Sequence, residues 1–392
     1  MGTTRQALIN DTSVVVMLYM ALELSASKWK VAIADGQRAP SQHTLSAGDV
    51  GGLLLLIDKA KKRCGRQGPV KVNSCYEAGR DGFWLHRWLL EQGIDNVVVD
   101  SSSIEVNRRA RRAKSDALDV GKLYEMLVRY VAGEKRVWRA LRVPSVQQED
   151  ERRLHRELER LKRERTAHSN RIRSLAVLHN VRLVGVGGRG WSQRLEQLKG
   201  QLPAGLLAEI ERESVREKLV GEQIAALEKN RKEQVQRMCE QGGALAALLK
   251  LRAIGVQTAW VLQWELFSWR RFNNRRELAG CVGLNPTPYD SGASQREQGI
   301  SKAGNRRVRA LLVEIAWYWL RYQPHSVLSA WFNRRFGRGG KRMRRIGIVA
   351  LARRLLIALW RYVEHGVVPE GAQLKNAIAA HSHNVPQQQY RS

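Results

Sequence analysis

Two stretches of helical period constrain this chain more than any other feature. From Gln147 to Leu178 it is dense in Glu and Arg, with Leu154, Leu158 and Leu161 at steps of four and three, followed by Ile172 and Leu175. Such a stripe on a charged segment buries one side of a long helix, and the spacing has coiled-coil character. Charge alternation of helical period resumes from Leu206 to Met238, and the intervening 183–205 is rich in Gly. The pattern predicts an antiparallel coiled-coil hairpin over 145–240, with a plain helical linker as the alternative. Pro144 marks the break before it.

The segment ahead of that break reads as a mixed α/β domain over 14–135. Residues 14–34 alternate apolar with small or polar positions and predict two strands turning near Ser25-Ala26-Ser27. Helical spacing follows over 49–63, a strand over Val70–Cys75, and a helix from Gly82 to Gln92 stopped by Gly93. A short strand Asn96–Val99, a Ser-rich loop and a helix Asp116–Val131 complete the unit. Beyond the rod, 243–366 reads as mainly helical with a loop-rich island at 282–304. The tail 371–392, rich in Ala, Gln, Asn and His, predicts disorder.

Charge narrows the function. The 392 residues carry 67 Lys plus Arg against 37 Asp plus Glu, a formal net charge of +30. That excess points to a polyanionic partner, with nucleic acid first and an anionic membrane surface second. No apolar run approaches the ~18 residues of a membrane span. Val14 to Leu24 is too short, holds Glu23 and lacks the features of a signal peptide. Cys64, Cys75, Cys239 and Cys281 have no metal-ligand spacing, which suits reduced thiols in a cytoplasmic protein.

Four acids of the N-terminal domain are candidate metal ligands. Glu23 lies among apolar strand neighbours in Ala-Leu-Glu-Leu-Ser, where a carboxylate is costly unless something pairs with it. Glu77 follows a strand in Cys-Tyr-Glu-Ala-Gly. Asp116 and Asp119, in Lys-Ser-Asp-Ala-Leu-Asp, share one helix face. Converging carboxylates suit hard divalent cations, and a pair of such ions can serve phosphoryl transfer. The plainer readings are a helix N-terminus enriched in acid for Asp116 and Asp119, and an unpartnered loop acid for Glu77. Asp11, Asp35 and Asp100 compete, Asp35 as a turn residue. Just upstream of the acidic helix stand Arg108, Arg109, Arg111, Arg112 and Lys114, placed to meet a phosphate backbone or simply to solvate a loop.

The C-terminal region adds a nucleophile. Leu251 to Ala259 has the look of a helix-hairpin-helix turn, whose backbone N–H groups can face phosphates, although Gly-x-x-Thr also caps ordinary helices. Ser291, before Gly292, is predicted to sit in an accessible loop, followed by Lys302, Arg306, Arg307 and Arg309. A serine hydroxyl needs a metal or cations nearby to attack phosphate. On its own a Ser-Gly pair in a loop is an ordinary turn. Ser294 and Ser301 are rival hydroxyls, with Ser301 predicted as the N-cap of a helix from Asn305 to Leu320. Arg334, Arg335, Arg338 and Lys341, interleaved with Trp331, Phe332 and Phe336, suit nucleic-acid contact or stacking. Trp317, Trp319 and Trp360 are assigned to the core.

Taken in order, these motifs resemble the DEDD transposases of the insertion sequence one-ten family, including its bridge-RNA-guided members. The likeness runs through Ala-Leu-Glu-Leu-Ser, Tyr-Glu-Ala-Gly and Lys-Ser-Asp-Ala-Leu-Asp, then Ala253-Ile-Gly-Val-Gln-Thr-Ala, Leu278-Ala-Gly-Cys-Val-Gly-Leu-Asn-Pro, Ser291-Gly and Ile300-Ser-Lys-Ala-Gly-Asn-Arg-Arg. The resemblance implies a RuvC-like, RNase H-type N-terminal domain and a helical serine-bearing domain joined by a coiled coil. It implies Glu23, Glu77, Asp116 and Asp119 as ligands of Mg²⁺ (or Mn²⁺) and Ser291 as a nucleophile that forms a 5′-phosphoserine link to cleaved DNA. It further implies donor and target DNA, an element-encoded guide RNA and a homo-oligomer, dimer or tetramer, as partners. The family's first acid is usually Asp, and Glu23 reaches one methylene further. A metal-only junction nuclease of RuvC type and a non-catalytic architectural protein remain as alternatives, the first indifferent to Ser291 and the second to all four acids.

Overall fold

A computed structural model describes residues 16–64, 69–104, 116–134, 137–291 and 294–375. The chain divides at Pro144 into two compact units, 1–144 and 145–392.

The first unit is built on a five-stranded sheet. Strands β1 (Val16–Leu24), β2 (Lys28–Ala34) and β3 (Ser41–Ser46) form an antiparallel meander, and β4 (Val70–Glu77) and β5 (Asp95–Val99) continue it parallel to β1, in the order β3-β2-β1-β4-β5. The predicted turn closes on Ser25, whose N–H and hydroxyl both donate to the Lys28 carbonyl. Central β1 is apolar on both faces because both are covered. Leu18, Met20 and Leu22 pack with Leu53 and Ile57 of helix α1 (Val50–Cys64) and Leu85 and Leu89 of α2 (Trp84–Glu91). On the opposite face Ala21, Ala32 and Cys75 meet Val120, Leu123 and Leu127 of α3 (Asp116–Val131). Edge strand β3 alternates half-buried residues (Ser41, His43 and Leu45) with exposed polar ones, as a strand with one wet face does.

The second unit opens with α4 (Val146–Asp150), started by a capping box in which Ser145 and Gln148 satisfy each other's backbone N–H. The long charged segment is therefore two helices, α4 and α5 (Arg153–Val177). α5 packs against α7 (Ala204–Gln241) through Leu158, Leu161, Val220 and Ile224. Ion pairs Lys162–Glu228, Arg165–Glu217, His168–Glu213 and Arg171–Glu209 climb one helix as they descend the other, so the pair is antiparallel. The connector carries α6 (Trp191–Gln197) and closes over Ile172, Leu175 and Ile210. Gly187, at φ +73°, lies against the Glu217 carboxylate, where any Cβ would collide. Its place in the Gly-rich connector is thus a close approach and not mere flexibility.

The remaining helices enclose one apolar core: α8 (Ala244–Lys250), α9 (Val256–Leu262) running into a π-helical turn (Gln263–Phe267), α10 (Arg275–Cys281), α11 (Arg306–Tyr322), α12 (Val327–Phe336) and α13 (Lys341–His365). Three expectations change here. The island at 282–304 contains an antiparallel hairpin, β6 (Pro286–Ser291) with β7 (Ser294–Ile300). Asn305, not Ser301, caps α11, its side chain accepting from Val308 N–H. Trp317 is exposed, whereas Trp319 is fully buried with its indole N–H on Ser326, and Trp360 is half-buried. The last described residues are also held: Arg252 N–H donates to the Gln373 carbonyl, Lys375 N–H to that of Lys250, and Lys375 Nζ to that of Ile254.

Candidate active site

In the first unit, strand register sets two acids side by side at the C-terminal ends of the central strands. β1 and β4 pair Leu22 with Tyr76, so Glu23 and Glu77 stand next in register at the C-terminal ends of neighbouring parallel strands. Ala21 and Cys75 face α3, so alternation turns Glu23 and Glu77 to that same face two residues on. Helix α3 runs antiparallel to β1. Cys75 Sγ donates to the Leu123 carbonyl at 3.8 Å, while Tyr124, further along, accepts from Gly36 N–H at 3.0 Å and meets Tyr19 edge-on. Its first turn, with Asp116 and Asp119, therefore lies toward the strand ends that carry Glu23 and Glu77. Glu23 is half-buried, and Glu77 and Asp119 are exposed. The donors are all hard carboxylate oxygens, the chemistry a divalent cation takes. Among the described residues no three His, Cys, Asp or Glu stand close enough to hold a metal ion, and the Asp116 side chain is outside that set.

The competing acids have other tasks. Asp35 Oδ1 accepts from Gln37 and Arg38 N–H in the turn after β2. Asp100 pairs with Arg139 at 3.5 Å. Arg108, Arg109, Arg111, Arg112 and Lys114, like Asp11, lie outside the described residues.

In the second unit the hairpin is gripped at its base by the motifs the sequence singled out. Ser301 N–H donates to the Asn285 carbonyl, Lys302 N–H to Gly283 and Asn305 N–H to Cys281. Gly283 (φ +71°) packs on Ala303, and Gly304 (φ +82°) packs on the Cys281 carbonyl, so a Cβ at either position meets backbone. Arg309 Nη1 donates to the carbonyls of Val282 (2.9 Å) and Ala303 (3.3 Å), tying the two chain ends together. Ser291 is the last residue of β6, paired with Ser294 across the hairpin end, not a free loop residue. Gly292 lies outside the described residues.

The cations after the hairpin divide into two kinds. Lys302 and Arg306 are exposed, and no ion pair is formed by either among the described residues. Arg307 and Arg309, half-buried, also make contacts within the protein. Arg307 pairs with Glu159 of α5 and lies 3.5 Å from Glu265. Glu265, in the π-helical turn and 1% exposed, is a buried acid at the base of the helix that follows the hairpin, and sequence reading missed it. It accepts from His155 Nε2 (2.8 Å), from Arg156 Nε and Nη2 (2.8 and 3.0 Å) and from Asn305 Nδ2 (3.0 Å). Burial alone would raise its pKa, but the His155 and Arg156 hydrogen bonds and charge outweigh that and hold the carboxyl well below the usual range. An acid inside the apolar run Val261–Phe267 was the available signal, the same one that marked Glu23.

Arg334, Arg335, Arg338 and Lys341 lie exposed on α12, its connector and the start of α13. Nearby, burial first and then the like charges of Arg275, Arg276 and Arg354 lower the pKa of Arg353. Crowded guanidinium groups of this kind favour an anion. The turn Leu251–Gly255 between α8 and α9 is occupied by residues 373–375, with Arg252 N–H already donating to Gln373.

One unit is thus a helical frame presenting a clamped hairpin, and the other carries acids at the C-terminal ends of its parallel strands. The family described as "Transposase IS116/IS110/IS902 family" matches residues 245–328, the span from α8 through the hairpin and α11. The y4rJ protein of Sinorhizobium fredii, which bears a transposase name, is 43% identical over 378 residues, 91% of this chain and 94% of that one. The transposase for insertion sequence element IS1328 of Yersinia enterocolitica is 31% identical over 124 residues, 31% of this chain and 36% of its own. A family 20 transposase name belongs to a Pseudomonas aeruginosa protein 29% identical over 204 residues, 51% of this chain and 57% of its own. This chain belongs to the IS110-type transposase family. Among the described residues no helix is long and apolar enough to cross a membrane.

Proposed function

We propose that this chain cuts and rejoins the DNA of an insertion sequence through a phosphoserine intermediate at Ser291, assisted by a divalent cation on the carboxylates of the first unit. The observation that carries the reading is the hairpin base. Motif residues 278–285 and 300–309 of a family transposase are spent on backbone contacts that fix the two chain ends of one hairpin, whose tip bears the serine. Precise placement of a nucleophile is what such rigidity serves.

The strand order β3-β2-β1-β4-β5, with β1 to β3 antiparallel and the rest parallel, supports an RNase H-like, RuvC-like reading of the first unit. Glu23, Glu77, Asp116 and Asp119 are the residues that would hold Mg²⁺ or Mn²⁺, which would supply charge stabilisation to a pentavalent phosphorane-like transition state. The chemistry balances without an external energy source. The Ser291 Oγ–P bond forms as the P–O3′ bond breaks, and the serine proton ends on the leaving 3′ oxygen. A second 3′-hydroxyl then reverses the exchange and frees the serine. Exposed Lys302 and Arg306 follow the hairpin, where cations would meet the phosphate backbone. Guidance by an element-encoded RNA, pairing with donor and target DNA, and oligomerisation through the α5–α7 pair complete the proposal, in a cytoplasmic setting.

The test mixes purified protein, the element's RNA, end-labelled donor and target DNA and Mg²⁺, resolved on denaturing gels before and after protease. A protein-linked DNA band that Ser291→Ala abolishes, with DNA binding kept, supports the serine mechanism. Cleavage that persists in Ser291→Ala without a covalent band replaces it with a metal-only nuclease.

A further inference from the structure

Helix α11 buries Val308, Leu312, Ile315, Ala316 and Trp319 in the core. Its other side is unusual. Trp317, Tyr318 and Tyr322 are 41%, 43% and 46% exposed, and they fall on one face with exposed Arg321 and, further back, Glu314 and Ala310. The Tyr318 and Tyr322 rings stack, centroids 6.3 Å apart at 27°, and the Arg321 guanidinium lies 5.4 Å from the Tyr322 ring centre. Three large rings left in water on one helix face mark a contact surface. Spacing alone assigns Trp317 to the core, so its exposure is a feature of the tertiary structure.

Charge decides what covers this face. From Ala310 to Val363 the chain has a single acid, Glu314, against eleven Arg or Lys. A second copy of the chain would bring the same cations against themselves, whereas a polyanion with flat apolar faces complements both the rings and the arginines. Bases offer such faces only when unpaired, since duplex DNA hides them in its stack. Aromatic rings with an interleaved arginine are the platform on which single strands lie.

We propose that Trp317, Tyr318, Arg321 and Tyr322 form a stacking platform for single-stranded DNA, the form that donor or target strands take once their pairing is opened. The inference rests on the reading of the chain as a DNA transposase, but on neither Ser291 nor the metal acids. The rings carry the base contacts, and Arg321 holds Tyr322 while meeting a phosphate.

The test is fluorescence anisotropy of the full chain with a labelled oligothymidine, a duplex of equal length and an oligouridine. Trp317→Ala, Tyr318→Ala and Tyr322→Ala should each weaken oligothymidine binding on the order of tenfold, leave duplex binding within about twofold, and leave the melting temperature and sedimentation unchanged. Tyr318→Phe and Tyr322→Phe, which keep the rings, should bind as the parent does. Ring removal that leaves oligothymidine binding intact overturns the proposal. So does equal loss of duplex binding, which would make the face a general electrostatic surface, and so does loss confined to oligouridine, which would make it an RNA site. A change in sedimentation with DNA binding unaltered would assign the face to a second copy. If the parent chain binds neither single-stranded nor duplex DNA, it is the DNA reading itself that fails.

Discussion

Glu23 and Glu265 are both acids set among apolar neighbours in the sequence, and the fold gives them different surroundings. Glu265 is sealed in the second unit with His155, Arg156 and Asn305 as donors, so its charge is matched by protein and its role is to join α5 to the base of α11. Glu23 stands at a strand end, half-buried, with Glu77 beside it in register and the first turn of α3 on the same face. A buried acid ringed by donors is neutralised within the protein, whereas under the proposed function a divalent cation joins the carboxylates at the strand ends. An acid in an apolar run therefore announces that something must neutralise it, and the fold decides whether that is protein or ligand.

The sharpest way to break this comparison is to remove one acid of each kind. Asp119→Ala should reduce strand cleavage on the order of a thousandfold, several kcal/mol of transition-state stabilisation, with no change in melting temperature, because the side chain is exposed. An Asp119→Ala protein that cleaves DNA at the parent rate would return Asp119 to a solvated helix start. Glu265→Ala should do the reverse. Leaving buried His155 and the half-exposed Arg156 without their carboxylate costs about 1–3 kcal/mol, read by denaturant unfolding as destabilisation of the second unit with the first unit's transition unmoved. Gly304→Ala combines a positive φ with a collision at the Cys281 carbonyl. It should cost ~1–3 kcal/mol and lower Ser291-dependent adduct formation while DNA affinity holds.

Acid should expose the same contrast more gently. The folded pKa of Glu265 is depressed, so its contribution to stability is fully present above the ordinary carboxylate value of 4.5 and is lost as pH falls below it. Thermal melts of the parent from about pH 5 down to about pH 2 should show that decline, and Glu265→Gln should flatten it. The smallest effect concerns surface charge. Arg334→Ala should weaken duplex binding uniformly across sequences and reduce the slope of log affinity against log salt by about one. A salt-independent affinity would contradict a phosphate-dominated surface.

Much of the architecture was legible because it depends on local period. The leucine spacing of α5, the apolar runs of β1 and β2, and the Gly93 stop after α2 are each local signals that a window of sequence displays. The hairpin at 286–300 was not legible, since Pro286, Pro288 and the surrounding polar residues read as loop. Its strands are fastened by Gly283, Gly304 and Arg309 from outside the pairing segment. The contacts of Arg307 and Arg309 within the protein were not legible for a related reason. A cation on a basic segment cannot be told from a structural one until Glu159, Glu265 and the Val282 carbonyl arrive from elsewhere in the chain.

By itself, then, the sequence determined the α/β unit followed by an antiparallel helix pair and a helical frame, the basic character, and the order of motifs that marks the family. Tertiary structure alone decided which charges are satisfied within the protein and which remain for a partner, and which aromatic residues of α11 stay in water. Periodicity reports what a segment must bury, but neutralising a charge or covering a ring depends on groups distant in the chain, and only folding brings those together.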